Sequence, residues 1–564
     1  MRPTAKPAHH PLRHLAATLG VVLLLVALAR LALTLGDALA VFADYHAYYR
    51  AAANLRAGHD LYAEGRLLVA RDDYGFWSQT DGQYVYPPAL AIAFLPLTLL
   101  DIGQGGAVWL LALTLALLVA SWQAARYCGY APGGRALLAV ALPLAGLLPL
   151  LLGLRYGLLA PRPLMLVLLA CVAQVPLAFI VRWGWPAWHR APLLAGAGGL
   201  LLLLAASVLA RGLRAGSLDP FLVALAVPGL LGTLAQLWWW GSRPVVLRPP
   251  AWSALRTRLT ALAPHALLTL GISPVVLSLM YGQVDLVLLV LTTASFFAYR
   301  SRRPWLAGFA LGLAAAFKPT LALYGLFYLR KRGWSTLGAA TLTGALVGFG
   351  PFLFLGWRAL GDWLTIARYL GSGKYLAYPS NQSLRGVALR LFVGGPDAPP
   401  LLSSPALATL LWFCGIVIGG LFWWRALDRA ADDAPRAGLE WALTTVLLLA
   451  CAPLSEDIHF VAAIPPLALL GAALVRGTTP PRVATMMAFA GCCFLLSPDE
   501  LTRWLGGGGD ARLLASALYL CGLGLAGFAL RALLLVPGRA ALPEATMLSG
   551  QRRGGAVGMG WRAR

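Results

Sequence analysis

The chain has 564 residues, 59% of them hydrophobic and only 12% charged, with a mean hydropathy of +0.72. A composition this apolar excludes both a disordered chain and a water-soluble globule. The net charge of +23 does not point to nucleic acid, because the arginines cluster in short loops between apolar runs instead of forming a continuous basic face.

The reading is all-α: a polytopic membrane protein with about fourteen crossings, since about 20 apolar residues span a bilayer and this chain keeps supplying such runs. In chain order they are 15–35, 107–125, 136–154, 164–181, 191–210, 220–240, 259–281, 284–299, 335–355, 401–424, 439–453, 460–475, 483–497 and 513–534. With the N-terminus cytoplasmic, most Lys and Arg fall inside, and most Asp and Glu fall outside. Lys and Arg set orientation while acids contribute little to it, so the segregation of the acids needs another cause. Arg2, Lys6 and Arg13 precede a first apolar run too long for a signal peptide and without an A-x-A-like site, which predicts an uncleaved first crossing. The seven cysteines form no C-x-x-C, and neither a disulfide framework nor a zinc site is expected.

The first outer loop, 44–88, opens on Asp44 in the stretch DYHAYYRAAANLRAGHDLY, with Tyr48 and Tyr49 behind it. A carboxylate backed by aromatics at a membrane surface is a candidate general base for a hydroxyl; the alternative is a helix N-cap. The loop closes on Tyr84, Tyr86, Pro87 and Pro88, an aromatic belt entering a Pro-initiated helix. That apolar piece, 88–100, is too short to cross and reads as re-entrant or interfacial. Gln283 and Asp285 interrupt two apolar runs, as the lining of a cavity mouth or as a plain turn.

The stretch 305–329 is long enough to cross once, yet RSRR precedes it and RKR follows it. Both ends therefore lie in the cytoplasm, and two half-length helices meet at Lys318-Pro319, where Pro ends the hydrogen-bond ladder and pushes the residue before it out of the helix. Lys318 then sits at a hairpin tip inside the membrane, where an ionisable residue is costly and defaults to function unless it snorkels to the interface. Non-helical backbone at that depth requires a protein-enclosed or wet cavity.

A second large outer loop, 356–400, gathers Lys374, Tyr375, Tyr378, Asn381, Gln382, Ser383, Arg385 and Arg390, groups suited to sugar hydroxyls and phosphate oxygens. Asn381-Gln382-Ser383 also matches a glycosylation sequon. Ser455, Glu456, Asp457 and His459 follow the crossing at 439–453, as an acid-base or metal cluster or as a solvated helix end. The stretch LLPLLLGLRYGLLAPRPLMLVLLACVA echoes SPVVLSLMYGQVDLVLLVLTTASFFA, which is compatible with a duplicated hairpin. A cytoplasmic tail, 535–564, closes the chain.

DYHAYYRAAANLRAGHDLY, YVYPP, YGQVD, the helix ending in Lys318-Pro319, and NQSLRG resemble, in that order, the landmarks of glycosyltransferase family 87. The resemblance implies a single transmembrane enzyme domain of the GT-C type over 1–564, with 136–258 an added set of helices. It further implies a glycosyltransferase, most similar to those that use polyprenyl-phosphate mannose, in a bacterial-type plasma (inner) membrane with its site facing outward. Asp44 matches the family's catalytic acid. Lys318 and Arg385 would hold the donor phosphate; Tyr48, Tyr86, Gln283, Asp285, Asn381, Gln382 and His459 would contact sugar or acceptor. The partners implied are a lipid-linked sugar donor, a glycan or glycolipid acceptor and membrane lipids, with no nucleic acid. No cofactor or metal is required, because side-chain cations can neutralise a phosphate leaving group. A transporter or lipid flippase is the rival reading, since broken helices and internal repeats are typical of such folds.

Overall fold

The computed structural model describes residues 42–71, 83–127, 273–395, 399–428, 434–476, 481–494, 498, 501–502 and 509–535. The crossings expected at 15–35, 136–154, 164–181, 191–210 and 220–240, the first copy of the echo, the added helices 136–258 and the tail 535–564, all but its first residue, lie outside the described residues. Among the described residues the fold is helical, without strands.

The loop 44–88, expected outside, carries α1 (Ala43–Arg56) and α2 (Ala63–Arg71). Tyr45, Tyr48, Ala51 and Ala52 form the buried stripe of α1 at helical spacing. α1 ends in Gly58 at φ 71, with His59 N–H donating to Asn54 C=O and Gly58 N–H to Leu55 C=O. That is the paired-bond helix end that favours glycine in the left-handed position. α3 (Pro88–Phe94) starts on Pro88 and tightens into a 3₁₀ turn, Leu95–Leu99; the short helix expected there is present. α4 (Ile102–Tyr127) is held at its start by Asp101 Oδ1, which accepts from Gln104 N–H at 2.8 Å.

α5 (Ser273–Tyr281) and α6 (Asp285–Arg300) meet at a 120° bend around Gly282, φ 68. A Cβ on Gly282 would lie 2.8 Å from Tyr45 Cβ and 2.9 Å from a Phe42 ring carbon, so the bend also needs glycine for room. α7 (Pro304–Phe317) stops at Lys318, whose backbone is extended at φ −137 and ψ 96. A 3₁₀ segment, Pro319–Tyr324, and α8 (Gly325–Arg330) follow.

The chain reverses at Lys318. Tyr328 Oη lies 2.7 Å from Ser295 Oγ, which donates to Ala307 C=O at 2.7 Å, so the returning limb runs back beside the start of α7. The expected hairpin is therefore present, with one difference: its return limb is 3₁₀ before it is α, because Pro319 offers no N–H to the ladder. α9 (Trp334–Thr343) then climbs parallel to α7. Gly308 faces Thr336 and Ala339, and Gly312 faces Ala340 and Thr343, with an added Cβ only 2.4–2.6 Å from the nearest α9 atoms. Two glycines four residues apart let backbones approach where lipid gives no hydrophobic drive for helix association.

α9 passes through a π segment, Gly344–Phe349, and turns 80° into α10 (Phe352–Leu370). The remaining helices are α11 (Gly373–Leu376), α12 (Leu384–Phe392), α13 (Pro405–Ala426), α14 (Ala434–Cys451), a 3₁₀ segment Asp457–Ala463, α15 (Ile464–Arg476), α16 (Pro481–Cys492) and α17 (Gly509–Leu535). By length and apolarity three described helices suffice to cross a bilayer, or up to five if each bent pair is one span, against the nine crossings expected wholly or partly within the described residues. Bends and 3₁₀ breaks divide the apolar runs, and this is why fewer straight spans appear.

Under the hairpin, Trp441 of α14 stacks on Tyr324 at 4.8 Å and packs against Phe296, Phe327 and Tyr328. Aromatic pairs of this kind contribute about 0.5–1.5 kcal/mol each beyond area burial. They fix the return limb, and through it the height of Lys318.

Candidate active site at the tip of the hairpin

Lys318 Nζ donates to both Asp285 oxygens, at 3.0 and 3.1 Å, with the two side chains only 13% and 8% exposed. The break in one helix thus faces the first residue of another. Removing either partner of such a buried pair leaves an uncompensated charge at about 3–5 kcal/mol. Two residues before Asp285, buried Gln283 organises the first loop. Its Oε1 accepts from Tyr48 Oη at 2.8 Å, its Nε2 donates to Tyr86 Oη at 3.2 Å, and its side chain hydrogen-bonds Asp44. Trp109 Nε1 donates to Gly282 C=O and Phe42 N–H donates to Met280 C=O, which lock α1 onto the bend.

Asp44 lies in the first turn of α1, not at its cap: Phe42 holds the cap position, and no side-chain cap bond forms. The N-cap alternative is therefore not realised. Burial pushes the Asp44 carboxyl up to about 7, reinforced by the charges of Glu456 and Asp285 and opposed by Lys318 and the Gln283 hydrogen bond. A carboxyl poised near neutrality is what a general base needs. The acid of the first loop and the ammonium of the hairpin thus act on each other electrostatically.

Glu456, read from the sequence as part of the 455–459 cluster without a site role of its own, lies at the heart of the site. It is raised chiefly by burial and reaches Tyr375 Oη (3.5 Å), Ser380 Oγ (3.4 Å) and His459 Nε2 (3.5 Å). Its signal was the SEDIH run, from which only His459 was assigned a contact to sugar or acceptor. Glu456 N–H donates to His459 Nδ1, so the pair caps the 3₁₀ segment and His459 is held with its ring against the cleft.

A cleft of about 70 Å³ opens beside Lys318 and Asp285. Asp285, Lys318, Ser455 and His459 form its polar end, and Leu288, Leu289, Leu321, Leu448, Leu449 and Val461 line its walls. The shape and chemistry suit an amphiphile with a polar head and an apolar tail.

The loop 356–400 behaves differently. Asn381 is fully buried: its Nδ2 donates to Leu376 and Pro453 carbonyls, and its Oδ1 accepts from Ser383 and Ser455 N–H. The amide has no spare donor for a sugar, and as a glycosylation acceptor it is out of reach. It pins the loop to the segment carrying Glu456. Gln382 is also buried, donating from Nε2 to Pro379 C=O. Arg390 donates to Tyr378 and Asn381 carbonyls. Arg385 stacks on Trp412 at 4.4 Å, on α13, and its position as a phosphate ligand gains no support from that contact. Among the described residues no group of three or more His, Cys, Asp or Glu converges as metal ligands.

Apolar helices around a cluster of carboxylates, one ammonium group and an amphiphilic cleft define an integral-membrane protein with a built polar site. The model of glycosyltransferase family 87 matches residues 220–453, and over that segment the chain resembles the family. The matched segment contains Gln283, Asp285, Lys318 and the loop 356–400, whereas Asp44 lies before it. Among curated proteins the chain is 27% identical over 224 residues to a polyprenol-phosphate-mannose-dependent alpha-(1-2)-phosphatidylinositol mannoside mannosyltransferase of Mycolicibacterium smegmatis, covering 39% of this chain and 48% of that protein. The Mycobacterium tuberculosis protein of the same description is 27% identical over 230 residues, 39% of this chain and 49% of that one. A polyprenol-phosphate-mannose-dependent alpha-(1-2)-phosphatidylinositol pentamannoside mannosyltransferase of M. smegmatis is 32% identical over 196 residues, 33% and 42% of the two chains. The aligned part spans about half the length of these relatives. No solved structure matches the chain significantly.

Proposed function

We propose that the protein is a membrane glycosyltransferase that moves a hexose, mannose by analogy with the relatives, from a polyprenyl-phosphate donor to an acceptor hydroxyl at the outer face of the membrane. The observation that carries this reading is the junction of an apolar cleft with a head group of Lys318, Asp285 and His459, next to a carboxyl held near neutrality. The prenyl tail lies along the leucine walls. The donor phosphate meets Lys318, displacing or sharing it with Asp285, and the sugar projects toward Tyr86, Gln283 and Glu456.

Asp44 takes the proton from the acceptor hydroxyl as its oxygen attacks the anomeric carbon. The bond from that carbon to the phosphate oxygen breaks, and polyprenyl phosphate leaves as an anion that Lys318 stabilises. One bond forms and one breaks, with inversion at the carbon. The acceptor is a glycolipid or glycan; the relatives' names mention phosphatidylinositol mannosides.

The test is to supply polyprenyl-phosphate hexose, labelled in both sugar and lipid, to membranes containing the protein. The proposal expects the donor to be consumed and free polyprenyl phosphate to accumulate. A protein that only moves the intact lipid between leaflets, as a flippase would, refutes it.

A further inference from the structure

The end of the hairpin opposite the site carries two matched helix ends. α6 stops with Arg302 N–H donating to Tyr299 C=O and Arg303 N–H to Ala298 C=O, and Arg302 sits at φ 56. α8 stops with Arg332 N–H donating to Leu329 C=O and Gly333 N–H to Tyr328 C=O, and Arg332 sits at φ 55. These are the bonds that close α1 at Gly58 and α5 at Gly282, where glycine takes the left-handed position. In the two turns of the hairpin base the left-handed residue is arginine.

The turns are neighbours. Tyr299 and Tyr328 rings lie 5.0 Å apart, and Gly333 abuts Tyr299. α7 and α9 then leave the turns in parallel. Arg302, Arg303 and Arg332 are exposed, and no carboxylate pairs with them among the described residues. Trp305 and Trp334, one on each helix, are 66% and 63% exposed beside them. Leu306 and Phe309 continue an open apolar face away from the arginines, each 50% exposed.

We propose that these twin turns form a docking site for the headgroup of an anionic phospholipid of the cytoplasmic leaflet, with Arg302, Arg303 and Arg332 on the phosphate region and the tryptophan pair against the glycerol and acyl chains. Charge complementarity selects the anion: three uncompensated guanidinium groups within two adjacent turns attract a net-negative headgroup and gain little from a zwitterion. The exposed tryptophans and the apolar face beyond them commit the site to a lipid and not to free phosphate. A lipid there braces α7 and α9 at the base of the hairpin, independently of the reaction proposed above.

The glycine-for-arginine substitution at both turns makes a clean test, because glycine takes the left-handed conformation more readily and the variant folds. Full-length protein is purified with phosphatidylglycerol and phosphatidylcholine present in equal amounts, and retained lipid is measured by native mass spectrometry alongside the melting temperature. Wild type should retain phosphatidylglycerol over phosphatidylcholine by roughly tenfold or more and melt higher in its presence. Arg302→Gly/Arg332→Gly should lose most of that preference while melting no lower than wild type in phosphatidylcholine. Trp305→Ala/Trp334→Ala should weaken retention of both lipids. Equal retention of the two lipids by wild type, an unchanged preference in the glycine variant, or the same stabilisation from millimolar inorganic phosphate alone would each overturn the proposal.

Discussion

The hairpin 304–330 has a buried ion pair at each end of its return limb, and the two pairs are built for different purposes. At the tip, Lys318 meets Asp285 beside an open cleft, among the further carboxylates Asp44 and Glu456. At the base, Lys331 meets Glu440 at 2.5 Å with 4% and 0% exposure, and Glu440 also accepts from Arg436 Nε at 3.2 Å and Asp428 N–H at 2.9 Å. Arg330 donates to Leu427 C=O and stacks on Trp424 beside it. The buried part of the base is a closed knot in which Lys331 and Arg436 surround a single acid, with Arg302, Arg303 and Arg332 exposed outside it. The tip gathers three carboxylates about one ammonium group beside an open cleft, and burial raises the proton affinity of Asp44 and Glu456, which relieves their mutual repulsion. Burial alone does not separate a structural ion pair from a functional one; the surrounding charge count and the open cleft do.

The largest effect that sharpens this contrast is at the base. Glu440→Ala should destabilise by about 3–5 kcal/mol, by leaving Lys331 buried and unpaired, and should show as lost protein in membranes or a large drop in melting temperature. Lys331→Met/Glu440→Leu should recover most of that loss. The matching change at the tip, Lys318→Met/Asp285→Leu, should keep the fold yet abolish donor consumption, and retained activity there would erase the distinction between the two pairs.

Next in size is Gly312→Leu, which pushes a side chain into the α9 backbone. It should lower stability by about 1–3 kcal/mol or more, read from thermal melts, and displace Lys318 with α7.

A smaller effect concerns proton affinity at the tip. Asp44 acts as a base only when ionised, and its pKa of about 7 lies above that of an ordinary carboxyl. Turnover per free enzyme, kcat/KM, should therefore fall about tenfold per pH unit below pH 7 and level off above it. The Gln283 hydrogen bond favours the ionised form, so Gln283→Met should move the acid limb to higher pH. The groups that face Asp44 there, Glu456, Asp285, Lys318, Tyr48, Tyr86 and Tyr375, remain in place in that variant. An unmoved limb would remove Gln283 from the account and leave Asp44 to be judged separately.

The hairpin was legible because its evidence is local: basic residues on both flanks and Lys-Pro in the middle force a reversal. Asp44, Lys318, Asp285 and Gln283 were legible for a related reason, since polar residues in apolar surroundings stand out. What the sequence concealed depends on contacts across long separations. Nothing near Glu440 announces that Lys331, 109 positions earlier, neutralises it. Asn381 carries the right chemistry for sugar, yet a loop closing against Pro453 and Ser455 consumes all of it. The left-handed turns at Arg302 and Arg332 lack the glycine that would have announced them.

The central claim is that Asp44 removes the proton from the acceptor while the hairpin lysine receives the leaving phosphate. Measuring release of polyprenyl phosphate from labelled donor by Asp44→Asn, at pH 8 and at wild-type levels of folded protein, tests it most directly. A loss of roughly a hundredfold to ten-thousandfold is expected for a lost general base. Activity within a few fold of wild type would contradict the account.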